Sequence, residues 1–294
     1  MNVATTTPSF DLATVPEADR GRVAALIPSP RIAEAYVHRS FNGRTDFDLL
    51  DYAVAEMENV ILAGPTGSAK TTFFRAYAAA RGLPFCVVEC SGAIDLGMVL
   101  GKTTIDPDGG VRWIDGEMTL VARYGGVVLI DEINMAHPRI TAGFHQLLAV
   151  TRRMSIPEAG ETIIAGRGGT GAAQPTLFGA AYNPRYQGTV RLSEALQNRY
   201  AIPLKWGYER DVEAQLVTSE RLLDMADNIR ALDEIRTPLS TNALMEFERH
   251  VDGLGMDTAR MLLVNRFAPE EQAPVARALE ANADAIQAEL DAAE

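Results

Sequence analysis

The nine residues Gly64, Pro65, Thr66, Gly67, Ser68, Ala69, Lys70, Thr71 and Thr72 follow the apolar run Val60-Ile-Leu-Ala63 and open a helical pattern. A strand that turns through such a loop into a helix can wrap backbone N–H groups around the phosphates of a nucleotide. Lys70 is placed to reach the β- and γ-phosphates, and the Thr71 hydroxyl to hold Mg²⁺. The helix expected over 70–81 points its positive end at the same anion. Ala69 stands where the strict pattern has glycine, and the added methyl is expected to be tolerated. The alternative is a glycine-rich turn with an incidental lysine.

Three further segments carry chemistry. Gly126-Val-Val-Leu-Ile-Asp131-Glu132 delivers two adjacent carboxylates from the end of an apolar strand, where open α/β sheets bind ligands. Asp131 suits water-mediated Mg²⁺ coordination, and Glu132 suits polarising an attacking water as general base. A strand ending in solvated acids is the competing explanation, weakened by their position about 60 residues after the phosphate loop. Leu177–Pro184 ends a strand on Asn183, an amide able to bond a γ-phosphate or the lytic water, or else an Asn-Pro turn. Leu192–Tyr200 reads as a short helix closing on Arg199. That cation is either a surface ion pair or a group reaching a neighbouring subunit's phosphates, as an arginine finger does.

The elements that must position these groups are short apolar strands at 60–63, 85–89, 127–131, 176–182 and 200–204. Helical segments separate them, an alternation that predicts a parallel sheet with helices on both sides. Helices are also expected at 31–39 and at 46–58, the latter capped by Asp46 or Asp48. Residues 1–20 are polar and Thr/Pro-rich, the pattern of a poorly ordered arm. From about 207 strands cease, and 209–236, 240–252, 256–266 and 270–292 read as helices. The expected architecture is α/β: a P-loop NTPase-type parallel five-stranded sheet sandwiched by helices, followed by a small all-α lid. The divisions fall at 1–44 (arm and helix), 45–206 (nucleotide-binding domain) and 207–294 (lid). Gly166–Gly171 reads as a flexible loop.

Composition narrows the class. The 294 residues carry a net charge of −12, which disfavours sequence-independent contact with nucleic acid or anionic membrane. Cys86 and Cys90 sit four apart in a strand, so their Cα atoms would lie about 13 Å apart, beyond disulfide reach. Buried thiols in a reducing compartment are expected. His38, His137, His145 and His250 show no metal-ligand spacing. Neither a signal peptide nor an apolar run approaching ~20 residues is visible, and a cytoplasmic protein is expected.

Together the four segments resemble AAA+ ATPases, and within them the MoxR branch that includes CbbQ/NorQ-type and dynein-related proteins. The likeness rests on Gly64–Thr71, Asp131–Arg139, Asn183-Pro184 and Leu192–Arg199, and spans about 45–290. It implies that Asn183 is similar to the first sensor residue and Arg199 to a finger acting in trans. It also implies two channel-facing hairpins. One lies around 101–113 and turns at Asp108-Gly109-Gly110, with Lys102 or Trp113 offered to a client, Trp113 equally serving as an anchor on its own domain. The other spans about 153–174. The family's second sensor arginine is absent: the chain has Ser240-Thr241-Asn242, and Arg236 or Arg260 are the candidates to compensate.

The resemblance implies a ring, of six subunits, that hydrolyses ATP with Mg²⁺ to remodel a protein client, through an adaptor with a von Willebrand factor A domain in some relatives. A nucleotide-gated scaffold with little turnover is the rival, favoured by Ala69 and Asn242. A nucleic-acid motor like the GTP-driven subunit of a modification-dependent restriction enzyme is a second, disfavoured by the acidic balance. No base-reading motif separates ATP from GTP.

Overall fold

The computed structural model describes residues 7–90, 99–105, 107–136, 144–184 and 192–293. His137, Pro138 and Arg139 of the Asp131–Arg139 motif, and Asp106 of the first hairpin, lie outside them. The chain forms two compact units: the residues up to Gly64 with Ala69–Trp206, and Pro65–Ser68 with the chain from Gly207 on.

The first unit is built on a five-stranded parallel sheet: β1 (Val60–Ala63), β2 (Phe85–Glu89), β3 (Gly126–Asp131), β4 (Thr176–Tyr182) and β5 (Ile202–Lys205), in the order β5-β1-β4-β3-β2. Successive side chains alternate between faces, and both faces are apolar. Val60, Leu62, Val127, Leu129, Leu177 and Ala181 join one core, beneath α1 (Asp46–Ala55) and α2 (Lys70–Arg81). Ile61, Cys86, Val88, Val128, Ile130, Phe178 and Ala180 join another, with α3 (Glu117–Tyr124) and the helical residues 144–147. Burial on both faces explains why these strands are apolar runs rather than alternating ones. The first strand begins and the last one ends as the sequence suggests to within two residues, β5 starting at Ile202 rather than 200. A β-carbon on Gly64 would sit 1.7 Å from the Trp206 carbonyl oxygen. Only glycine lets the chain leave β1 so close to the end of β5.

Several sequence expectations need correction. Of the arm expected over 1–20, the described residues 7–20 are anchored through Val15 and Asp19 rather than loose. Val15 and Val23, the latter in a helix over Glu17–Ala25, are buried with Leu120 and Tyr124. The Tyr124 hydroxyl donates to Asp19 Oδ2 at 2.6 Å. The helix expected at 31–39 covers only Arg31–Glu34, because Tyr36, His38 and Arg39 turn to Asp46. Its buried carboxylate accepts from the Tyr36 hydroxyl (2.6 Å) and the Arg39 amide (3.1 Å), and lies 2.8 Å from His38 Nδ1. The cap of α1 is therefore Thr45, whose hydroxyl and Asp48 form a capping box.

The antiparallel hairpin Gly101–Ile105 with Val111–Asp115 forms as expected. Trp113 is half-buried against the core of its own unit and donates to Asp115 Oδ1 at 2.8 Å, the anchor role; Lys102 is exposed. The second hairpin is shorter than 153–174, pairing Arg153–Ile156 with Glu161–Ile164. The Gly166–Gly171 loop is tied down: the Gly166, Gly168 and Thr170 amides donate to Ala122, Arg123 and Thr14 carbonyls at 2.8, 2.8 and 2.9 Å. Both cysteines are free and buried. Burial pushes the Cys86 thiol up, and burial beside Asp131 and Glu132 pushes Cys90 up to about 12, so neither is a nucleophile.

The second unit is helical: α4 (Glu220–Arg230), α5 (Thr241–Leu254), α6 (Met256–Val264) and α7 (Gln272–Asp291) around one apolar core. The helix expected at 209–236 is broken. A single turn at Arg210–Glu213 ends before Ser219, which caps α4 through the Leu222 amide at 3.0 Å. The Arg230 guanidinium spans both Glu213 oxygens at 2.7 Å and lies over the Tyr208 ring. Among the described residues no helix is long and apolar enough to cross a membrane.

Candidate functional site

The strand order brings the chemistry together. β4 lies between β1 and β3, so Asn183, just past β4, emerges between the loop that leaves β1 and the acids that end β3. The Gly64 amide donates to the Tyr182 carbonyl at 3.0 Å, which fixes the start of the loop against the end of β4.

Thr71, in the first turn of α2, donates its hydroxyl to Asp131 Oδ2 at 2.6 Å; the Glu132 amide donates to the other oxygen at 3.0 Å. Lys70 is buried and its Nζ donates to the Gly64 carbonyl at 3.0 Å. Burial lowers the Lys70 pKa, while Glu132 and Asp131 pull it back up. Burial also raises the Glu132 pKa, with Asp131 adding to it and Lys70 opposing. These reciprocal effects place Lys70, Asp131 and Glu132 in one electrostatic neighbourhood. Glu132 Oε2 is buried with no hydrogen-bond partner among the described residues. A buried acceptor of that kind is costly unless something arrives to donate to it.

Ala69 adopts φ 66, ψ 28, the left-handed conformation, immediately before α2. The substitution therefore costs backbone strain rather than the space of a methyl group. Pro65–Ser68 belong to the second unit, where the Tyr208 hydroxyl donates to the Thr66 carbonyl at 2.7 Å. Thr72 is exposed.

Asn183 is buried, and Asn134 Nδ2 donates to its carbonyl at 3.1 Å. The Asn183 backbone N–H in turn donates to the Glu132 carboxylate. Asn134 is a participant that sequence reasoning left inside a motif string. Its signal was an amide two residues past Glu132, beyond a turn in which Glu132 itself has φ 50.

Arg199 stands apart from this group. Its Nε donates to the His145 carbonyl at 3.1 Å and Nη1 to the Ala195 carbonyl at 2.9 Å. No described contact joins it to Lys70, Asp131 or Glu132 of its own chain. In the helical unit, Asn242 is exposed on the first turn of α5. Arg260 is directed to Asp257 and Glu280, 3.6 and 4.0 Å away. Among the described residues no three His, Cys, Asp or Glu side chains gather as a metal centre.

The residues fit a nucleoside triphosphate with Mg²⁺. A hydroxyl and a carboxylate already share a hydrogen bond where a hard cation would take oxygen ligands, a buried ammonium faces them, and an acceptor lacks a donor.

Residues 59–200 match the family model of the AAA domain, dynein-related subfamily. The uncharacterized protein YojN of Bacillus subtilis is 36% identical over 155 residues, 51% of this chain and 48% of that protein. The uncharacterized protein SH1500 of Staphylococcus haemolyticus is 35% identical over 149 residues, 49% of this chain and 54% of that one. The chain thus spans about half the length of the curated relatives it matches. A solved RuvB mutant from Thermotoga maritima aligns over 77% of this chain and 65% of that chain, at 16% identity and a TM-score of 0.43.

Proposed function

We propose, from the AAA domain over residues 59–200, that this chain hydrolyses ATP with Mg²⁺ and couples the cycle to remodelling of a partner protein. The observation that carries the reading is the Thr71–Asp131 hydrogen bond of 2.6 Å beside buried Lys70 and the unpartnered Glu132 Oε2.

Loop amides from Gly64 to Ala69 and the Lys70 ammonium hold the phosphates. Thr71 and, through water, Asp131 would hold Mg²⁺, whose charge would offset that of the phosphate oxygens. Glu132 Oε2 accepts a proton from the attacking water as its oxygen bonds to the γ-phosphorus and the bond to the leaving ADP breaks. Asn183, anchored by Asn134, stands next to that water and the γ-phosphate. Arg199, paired with no acid among the described residues, supplies a cation to the pocket of the next subunit, which calls for a ring, of six. The MoxR branch, a protein client, a von Willebrand factor A adaptor and a cytoplasmic setting belong to this same reading.

Exposed Asn242 favours one alternative: a scaffold that assembles on nucleotide and turns over little, since no cation at that position senses the γ-phosphate. Glu132→Gln and Arg199→Ala variants separate the readings. Under the ATPase reading, Glu132→Gln binds nucleotide and assembles but releases no phosphate above background, and Arg199→Ala loses hydrolysis while retaining nucleotide. Two variants that hydrolyse ATP at the parental rate overturn it. A parental protein that assembles on ATP with background phosphate release establishes the scaffold.

A further inference from the structure

Asn59, immediately before β1, is buried and uses its whole side-chain amide. Nδ2 donates to the Leu148 carbonyl at 2.9 Å and to the Arg199 carbonyl at 2.6 Å. Oδ1 accepts from Arg152 Nη1, while Arg152 Nη2 donates to the Met57 carbonyl. Arg152 is itself buried, its guanidinium 4.9 Å from the Phe178 ring centroid. Burial lowers its pKa to about 10, and among the described residues no carboxylate pairs with it. An apolar side chain would fill that space without a desolvated cation. The guanidinium adds direction: it holds the Asn59 amide in the one orientation that sends both N–H groups to Leu148 and Arg199.

Those two carbonyls lie in the segments that set the Arg199 side chain. Its Nε is held by His145, three residues before Leu148, and its Nη1 by Ala195 in the turn that leads to it. The amide of Asn59 thus ties together the two supports of one guanidinium.

We propose that Asn59, oriented by Arg152, is a positioning residue that fixes the aim of the Arg199 guanidinium toward the neighbouring subunit. This rests on the trans role of Arg199 proposed above. A displacement of about 1 Å in a catalytic group costs on the order of a hundredfold in rate, so a loosened support reads out in turnover before it reads out in fold.

The test is a mixing experiment. Glu132→Gln protein contributes only an arginine, Arg199→Ala protein contributes only a pocket, and together they restore phosphate release. Asn59→Ala added to the arginine donor lowers the restored rate about tenfold or more; added to the pocket donor it lowers it less than about twofold. Asn59→Asp is the second variant, nearly the same shape and able to pair with Arg152, but without either donation. It shows the same asymmetry even where Asn59→Ala fails to fold. Equal losses in the two placements, or none, overturn the positioning role alone. A mixture that restores no activity overturns the trans role of Arg199 and this inference with it.

Discussion

Ala69 and Glu132 share one backbone conformation, left-handed, with φ 66 and φ 50. One ends the loop that enters α2 and the other follows the last residue of β3. Strain of this kind persists only where its surroundings over-determine it, and it concentrates at functional sites.

For Ala69 the strain is removable. The left-handed region costs an alanine about 1–2 kcal/mol, and glycine gives back about 0.4–1 kcal/mol through its freer unfolded chain. Ala69→Gly should therefore stabilise the protein by about 0.5–1 kcal/mol, seen as a higher urea midpoint at unchanged slope. A lower midpoint would show that the loop gains from the methyl group.

Gly64 and Gly21 should respond in opposite directions to alanine. At Gly64 the new carbon meets the Trp206 carbonyl at 1.7 Å, while at Gly21 nothing lies within 4 Å. Gly64→Ala should lose more than about 4 kcal/mol and recover mainly as insoluble protein. Gly21→Ala, inside the Glu17–Ala25 helix, should gain roughly 0.5–1 kcal/mol. Soluble Gly64→Ala with a parental melting curve would contradict the close approach of β1 to β5.

Asn134→Ala removes the donor to the Asn183 carbonyl and strands a buried acceptor, a loss of about 1–3 kcal/mol. Because Asn183 also bonds Glu132, the expected effect falls on kcat more than on nucleotide affinity. A variant with weakened affinity and parental kcat would place Asn134 outside the chemistry.

The helical unit should carry an acid-sensitive clamp. Burial raises the pKa of Glu271, but the Thr237 hydroxyl and the Arg236, Thr237 and Ala268 amides outweigh it and hold the carboxyl below its ordinary range. A depressed carboxylate pKa stabilises the fold above the unfolded value, and that contribution is lost as pH falls through the folded one. Hydrogen-exchange protection around 235–239, taken relative to the intrinsic rate at each pH, should fall as the pH drops below the ordinary glutamate range, and Glu271→Gln should flatten that dependence. An identical pH profile in the variant would remove Glu271 from the account.

The sheet was legible because each strand is a short apolar run bounded by turn residues, and the acids that end β3 mark its edge. Other features were hidden for physical reasons. Asp46 looks like a cap but is drawn inward by Tyr36 and Arg39, leaving Thr45 as the cap. Helical periodicity continues across Thr218-Ser219, where the Ser219 hydroxyl starts a new helix. The Thr/Pro-rich opening masks Val15 and Val23, single apolar residues whose partners lie about a hundred positions away. Sequence placed Arg199 at the end of a short helix, but its backbone carbonyl is held by Asn59, 140 residues distant.

The hold that residues 7–25 keep on α3 and on the 166–171 loop bears on how shortened versions of this protein should be cut. A fragment begun at Asn59, where the family match starts, would lay bare Leu120 and Tyr124 and release the Thr170 amide from the Thr14 carbonyl. Sticky, poorly behaved fragments would then reflect the choice of boundary rather than any fault in the nucleotide pocket.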